Sequence, residues 1–202
     1  MMLLARRIPR FNAHLDHLAD IISMIDAPIP RTSERVFSAE KALIQIQIEW
    51  ENFIRGLILD SATGNFENSS GPITSRKYPR LRSREAAAHK LIETYPRRKS
   101  EPDWYLPDEA INAAIRLDVS NQHQIAAELG VTPWPIGDLR RMRNFIAHKS
   151  KKSALEIRKT GIALSSTRID VLDVAFQYSS GGIKRYVDWI NFAKGSAARL
   201  VA

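Results

Sequence analysis

The chain has no cysteine. Disulfides, thiolate-held zinc and cysteine nucleophiles are thereby excluded, which fits a reducing compartment. Long apolar runs are missing too, and no stretch approaches the roughly 20 residues that span a bilayer. The first residues offer only Met1-Met2-Leu3-Leu4-Ala5 before Arg6-Arg7, too short for the apolar core of a secretory signal. We therefore expect a soluble, cytoplasmic protein with no membrane partner. Internal repeats, low-complexity tracts and dividing linkers are also absent. The expectation is a single domain over 1–202, with 61–82 and 96–106 as surface loops. Acidic residues are scarce relative to basic ones: 22 Asp+Glu against 30 Lys+Arg leave a net charge of +8. Charge of this sign favours polyanions, and nucleic acid is the commonest inside cells.

What the chain does have is helical periodicity. Over 11–26, Leu15, Leu18, Ile21, Ile22 and Ile25 recur at three- and four-residue spacings and predict an amphipathic helix closed by Pro28 and Pro30. His14 and His17 lie three apart on it, a metal-compatible spacing. No third ligand completes a site nearby in sequence, so both are expected to face solvent. A second helix, capped by Thr32 or Ser33, is predicted to run to about Asp60. Val36, Ala39, Leu43, Ile46, Trp50, Phe53 and Leu57 form one apolar stripe on it, and Ile44, Ile48, Ile54 and Ile58 a second. A helix apolar over so much of its girth belongs at the centre of a bundle. Glu51 falls in the gap of the second stripe, where a carboxylate is costly unless a cation or several donors meet it.

Gly, Ser, Asn and Pro crowd 61–82, which reads as a surface loop without regular structure. Ser83 is placed to cap a short helix reaching Thr94. Pro107-Asp108-Glu109 opens another that carries Ile111, Ala114, Ile115 and Leu117. Between Arg76 and Lys99, nine Lys/Arg stand against two Asp/Glu, with Tyr78 and Tyr95 interleaved and Trp104 nearby. Such a run is either a solvated face or a track for single-stranded nucleic acid. Residues 122–129 predict a helix stopped by Gly130, after which Thr132 caps the next with Pro133 at its first position. A helix over 154–164 follows. A closing helix capped by Ser166 or Thr167 carries Ile169, Leu172, Phe176, Ile183, Tyr186, Val187, Ile190 and Phe192, with a kink or break at Gly181-Gly182. The fold class is all-α: an up-and-down helical bundle with extra short helices.

The chemistry concentrates in 139–149. Arg143-Asn144 is followed, after Phe145-Ile146-Ala147, by His148, in a segment from Ile136 to Lys159 that holds eight Lys/Arg against two Asp/Glu. Five positions along a helix is roughly 500° of rotation, so Arg143 and His148 diverge at their Cα atoms and the long arginine must swing back toward the imidazole. Met142, Phe145 and Ile146 take the core side. The pair suits cleavage of RNA by its own 2′-hydroxyl. A neutral imidazole takes the hydroxyl proton, and the planar arginine fork meets the charge that grows on the phosphate oxygens. This route requires no metal and no other cofactor. Arg140, Lys149, Lys151 and Lys152 are placed to hold the RNA backbone. One histidine cannot be base and acid in the same step, which points to a symmetric homodimer or to water as the acid.

Arg143, Asn144 and His148, preceded by Leu139-x-x-Met142 and followed by Lys149, resemble the motif of nuclease members of the HEPN superfamily. In those members an Arg and a polar residue are followed by three to five further residues and then a His. Trp50-Glu51-Asn52-Phe53-Ile54 resembles the acidic, aromatic second helix common there. The resemblance implies a helical bundle with a four- to five-helix core, usually dimeric, acting as a metal-independent endoribonuclease. Such proteins are often toxins or defence effectors, with an antitoxin or other neutralising partner. In that scheme Arg143 and His148 are catalytic, Asn144 orients them and Glu51 braces Arg143. Some toxins of the superfamily carry a Tyr two positions after the His, where a partner nucleotidyltransferase modifies it. Ser150 stands there in this chain, so that regulation is not expected.

Two other readings stay open. Non-catalytic members of the superfamily exist, so the chain also fits a helical RNA- or protein-binding regulatory module. Residues 121–145 in turn resemble a helix-turn-helix DNA-binding unit, in which Ala127, Gly130 and Ile136 have the spacing of the tight turn. Against it, Pro133, Trp134 and Pro135 put a rigid, bulky start on the recognition helix.

Overall fold

The computed structural model describes residues 1–26, 32–97, 99–131, 135–159 and 169–202. In chain order these form β1 (Met2–Leu3), a 3₁₀ turn (Leu4–Arg7), α1 (Ile8–Asp26), α2 (Ser33–Thr63), β2 (Phe66–Asn68), β3 (Gly71–Ile73), α3 (Arg84–Glu93), α4 (Pro107–Arg116), α5 (Gln122–Leu129), α6 (Ile136–His148), α7 (Lys151–Lys159), α8 (Val171–Phe176) and α9 (Arg185–Val201). The described chain is therefore mostly helical, as the periodicity predicts. None of its described helices is long and apolar enough to cross a membrane. Pro28, Pro30, Thr132, Pro133, Ser166 and Thr167, to which helix ends and caps were assigned, lie outside the described residues, as does 160–164 of the helix expected over 154–164.

Two compact units emerge. The first comprises Met1–Phe11, Trp50–Pro133 and Gly195–Ala202, and the second Asn12–Glu49 and Trp134–Lys194. Helices α1, α2 and α9 each give part of their length to one and part to the other.

The first unit is built around the apolar end of α2. Trp50, Phe53, Ile54, Leu57 and Ile58 are all nearly inaccessible to solvent, and Phe11 packs on Phe53 with ring centres 4.6 Å apart. On α4 the buried face is Ala110, Ala113 and Ala114, followed by Leu117, while Ile115 stays 52% exposed. Small side chains let the backbone of a neighbour approach closely, so here the alanines, not the isoleucines, mark the inner face. Asp60, buried near the end of α2, is met by two arginines. Arg7 Nε donates to Oδ2 at 2.9 Å and Arg84 Nη2 to the same oxygen at 2.8 Å. Burial lowers the pKa of Arg7, against the pull of Asp60, while the hydrogen bond to Asp60 raises that of Arg84.

Composition assigned 61–82 to a structureless loop, and here the fold differs. Helix α2 runs through Thr63, and β2 and β3 form an antiparallel hairpin whose turn is Ser69-Ser70, with β1 alongside β2 in parallel. Asn68 Oδ1 accepts from Ser70 N at 3.0 Å and Gly71 takes a φ of +113°, the two local devices that close so short a loop. Pro72 is tolerated because β3 is the edge of the order β1-β2-β3. Beyond it, Ser75 is buried and donates to Leu117 O at 2.5 Å, which ties the hairpin to the end of α4.

The second unit packs Leu15, Leu18, Ile22 and Ile25 of α1 and Ala39, Leu43 and Ile46 of α2 into its core, together with Ile136, Leu139 and Met142 of α6. The closing helix is two helices. Asp170 caps α8 by accepting from Leu172 N at 2.8 Å. The Gly181-Gly182 stretch then forms a tight reversal, with Gly182 at φ +73° and Tyr178 bridged to Lys184, before α9 begins.

Candidate active site at the junction of α6 and α7

Helix α6 forms because Ile136, Leu139 and Met142 recur every three residues and bury one face. Asp138 in its first turn suits the positive helix end and pairs with Arg141 at 3.0 Å. Burial raises the Asp138 pKa, while Arg141 and Arg185 pull it back. The helix ends where Lys149 adopts a left-handed conformation, φ 39° and ψ 37°, and donates its N–H to Phe145 O at 2.7 Å. A residue with a side chain costs about 1 kcal/mol more than glycine there.

That turn lets α7 start three residues after His148. Ser150 and Ser153 cap it reciprocally: Ser153 N donates to Ser150 Oγ at 3.2 Å and Ser150 N to Ser153 Oγ at 3.1 Å. Lys151 and Lys152 therefore occupy the first turn of α7, adding charge to a helix end that is already positive. This is unfavourable in isolation and favourable when an anion is present.

Between the two helices lies a cleft of about 290 Å³ lined by Arg140, Arg141, Asn144, His148, Ser150, Lys152, Ser153 and Glu156. Besides Arg141, α6 contributes a ladder, Arg140, Asn144 and His148, each four residues from the last and so on one face. Asn144 and His148 are exposed and Arg140 is half-buried. Arg143 is half-buried and is not among the described residues lining the cleft. The predicted residues thus divide. His148, Asn144, Arg140 and Lys152 share the cleft. Lys149 and Lys151 instead border a second cavity of about 440 Å³ with Val36, Glu40 and Asp170, where Lys149 Nζ stands 4.0 Å from Glu40. Glu51 lies half-buried on α2 and Arg143 half-buried on α6.

Family models, curated proteins and solved structures offer no match to this chain.

The arrangement offers an imidazole, a carboxylate (Glu156), an amide, three further cationic side chains and two hydroxyls around one small space. Such a set can bind a phosphate and move a proton beside it. Among the described residues no group of three or more His, Asp and Glu could hold a metal ion. His14, expected to face solvent, is hydrogen-bonded to Glu49 at 3.2 Å, while His17 is exposed. The helix-turn-helix pattern splits between the units: α5 belongs to the first and α6 to the second.

Sequence reasoning passed over Arg141, Ser150, Ser153 and Glu156 as parts of the site. The signals were present. Ser150-x-x-Ser153 is a reciprocal cap pattern, and Glu156 follows Lys152 at a one-turn spacing along α7.

Proposed function

We propose that the chain is a metal-independent endoribonuclease whose centre is the α6–α7 cleft, in keeping with its resemblance to HEPN nucleases. The observation that carries the reading is the convergence of His148, Asn144, Arg140 and Glu156 on one basic cleft. RNA lies with one phosphate in the cleft. The 2′-oxygen attacks that phosphorus, the P–O5′ bond breaks, and the products are a 2′,3′-cyclic phosphate and a free 5′-hydroxyl. Glu156 takes the proton from the 2′-hydroxyl, and protonated His148 gives one to the departing 5′-oxygen. Arg140 and Lys152 meet the charge on the non-bridging oxygens, and Asn144 donates to one of them.

Placing Glu156 beside His148 supplies both acid–base roles within one protomer. A symmetric dimer, which the resemblance implies, then serves to shape the RNA groove rather than to complete the chemistry. As a growth-arresting toxin or defence effector, such an enzyme is held in check by a neutralising partner until it is released.

The half-buried Arg143 outside the cleft favours a second reading, in which the basic cleft holds RNA without cutting it. One experiment separates the two. Purified protein is incubated with RNA in EDTA beside His148→Ala and Glu156→Gln variants. The nuclease reading expects cyclic-phosphate products and a loss of ~10²–10⁴-fold in His148→Ala. Glu156→Gln should remove the acidic limb of the pH–rate profile. Intact RNA, or equal cleavage by wild type and His148→Ala, sinks catalysis and leaves binding.

A further inference from the structure

We infer that the first unit carries a site of its own for single-stranded nucleic acid, in which an unpaired base stacks on Arg116. A cavity of about 450 Å³, large enough for a nucleotide, is lined by Tyr95, Pro96, Arg97, Glu109, Asn112 and Arg116. Glu109, Asn112 and Arg116 fall on one face of α4 at three- and four-residue spacings. Tyr95, Pro96 and Arg97 come from the chain leaving α3.

The cavity is organised around a fixed guanidinium. Arg116 Cζ stands 4.3 Å from the centre of the Tyr95 ring, and Arg116 Nη1 donates to Thr94 O at 2.7 Å. The tyrosine ring and the Thr94 carbonyl hold the guanidinium in place from the protein side, and the exposed side chain leaves its outer side to a ligand. Bases with no pairing partner stack on aromatic rings and on arginine planes because every base has a π-face. Asn112 is exposed beside it, and its amide can both donate to and accept from a base edge. Arg97 is exposed at the rim, where a phosphate on the same strand would sit. The acidic member, Glu109, is anchored by the Asp103 N–H at 2.9 Å.

The surrounding charge supports the same ligand. The run from Arg76 to Lys99 is strongly basic, and its second tyrosine repeats the pattern: Lys77 and Lys90 lie 5.4 and 5.1 Å from the centre of the Tyr78 ring. A merely solvated charge run requires neither aromatic rings under its cations nor a nucleotide-sized cavity. The inference does not rest on the proposed cleavage activity.

The test is anisotropy of a short fluorescent single-stranded DNA added to the full chain. DNA has no 2′-hydroxyl, so the proposed nuclease cannot cut the probe, and the result is independent of that reading. The wild type should bind in a salt-dependent manner and prefer the single strand to its duplex. Arg116→Lys keeps the charge and loses the plane. Both it and Arg116→Ala should weaken binding about tenfold or more, with unchanged circular dichroism. No binding by the wild type, an Arg116→Lys variant that binds as the wild type does, or displacement of the probe by polyglutamate as readily as by unlabelled strand would each overturn the site.

Discussion

Ser150 and Ser153 satisfy each other's backbone N–H groups, and in doing so they fix the first turn of α7 beside His148. Both hydroxyls are committed to the cap, at 3.0 Å from one another. Ser150→Ala leaves an N-terminal amide of α7 without its acceptor, a change worth about 1 kcal/mol. The expected outcome is faster hydrogen exchange in the first turn of α7 and a fall in RNA cleavage larger than the small drop in thermal stability. Equal exchange in variant and wild type would show that the cap does not hold the cleft.

Lys149 sits in a conformation that glycine accepts at no cost. Lys149→Gly should therefore raise the urea midpoint by the equivalent of about 1 kcal/mol. It also removes a cation that stands 4.0 Å from Glu40 and borders the second cavity. If that cavity guides the RNA, the same variant binds RNA more weakly at low salt and with a smaller salt dependence. A gain in stability with a loss of affinity is the signature of a backbone strained for function.

Acid should act on the first unit through Glu101 and Glu128. Glu101 accepts a bidentate pair from Arg55 at 2.6 and 2.7 Å, and that hydrogen bond holds its pKa below the ordinary value. Glu128 is held down in the same way by Arg199. A depressed carboxyl contributes stability above its unfolded value of about pH 4.3, and the contribution is lost as the pH falls through the folded value. Glu101→Gln should cost about 1 kcal/mol near neutrality and progressively less toward pH ~3. Urea midpoints of both proteins across that range check it, and a gap that widens on acidification contradicts the assignment. Asp138 runs the other way, since burial raises its pKa and acid relieves a buried charge.

Much of this was readable from residue spacing. The stripes of α1 and α2, the Ser83 cap, Pro107 at the start of α4 and the glycine break before α9 all follow from local rules, because each depends on neighbours within a turn or two. The β2–β3 hairpin was not readable. Its strands are three residues long, too short to show alternation, and Ile73 becomes core only when the chain folds back on itself. The exposure of Ile115 had the same cause, since which face of α4 is inner depends on a tertiary partner. In the site, the motif pointed to His148 and Asn144, while the composition of the cleft depended on where α7 starts. The turn at Lys149 set that start three residues earlier than the apolar pattern suggested.

In the proposed reaction, the geometry of α6 bears on which arginine would serve the phosphate. A helix places Arg140 and Asn144 on one face leading to His148, whereas Arg143 is rotated by roughly 140° from His148 around the axis. Arg140 lines the cleft and Arg143 does not. The motif resemblance assigns the catalytic role to Arg143; the cleft favours Arg140. Parallel kinetics of Arg140→Ala, Arg143→Ala and the two lysine variants distinguish them. If the cleft is the active centre, Arg140→Ala lowers kcat by ~10²-fold or more, as the loss of a donor to developing charge does, and Arg140→Lys restores little of it because the fork is lost. Arg143→Ala then acts mainly on stability, and its urea midpoint falls while the kcat of the folded fraction holds. The reverse pattern would mean that the arginine swings into the cleft only when RNA is bound, and solvent-exchange protection of the Arg143 side chain on adding a non-cleavable 2′-deoxy substrate would report that movement directly.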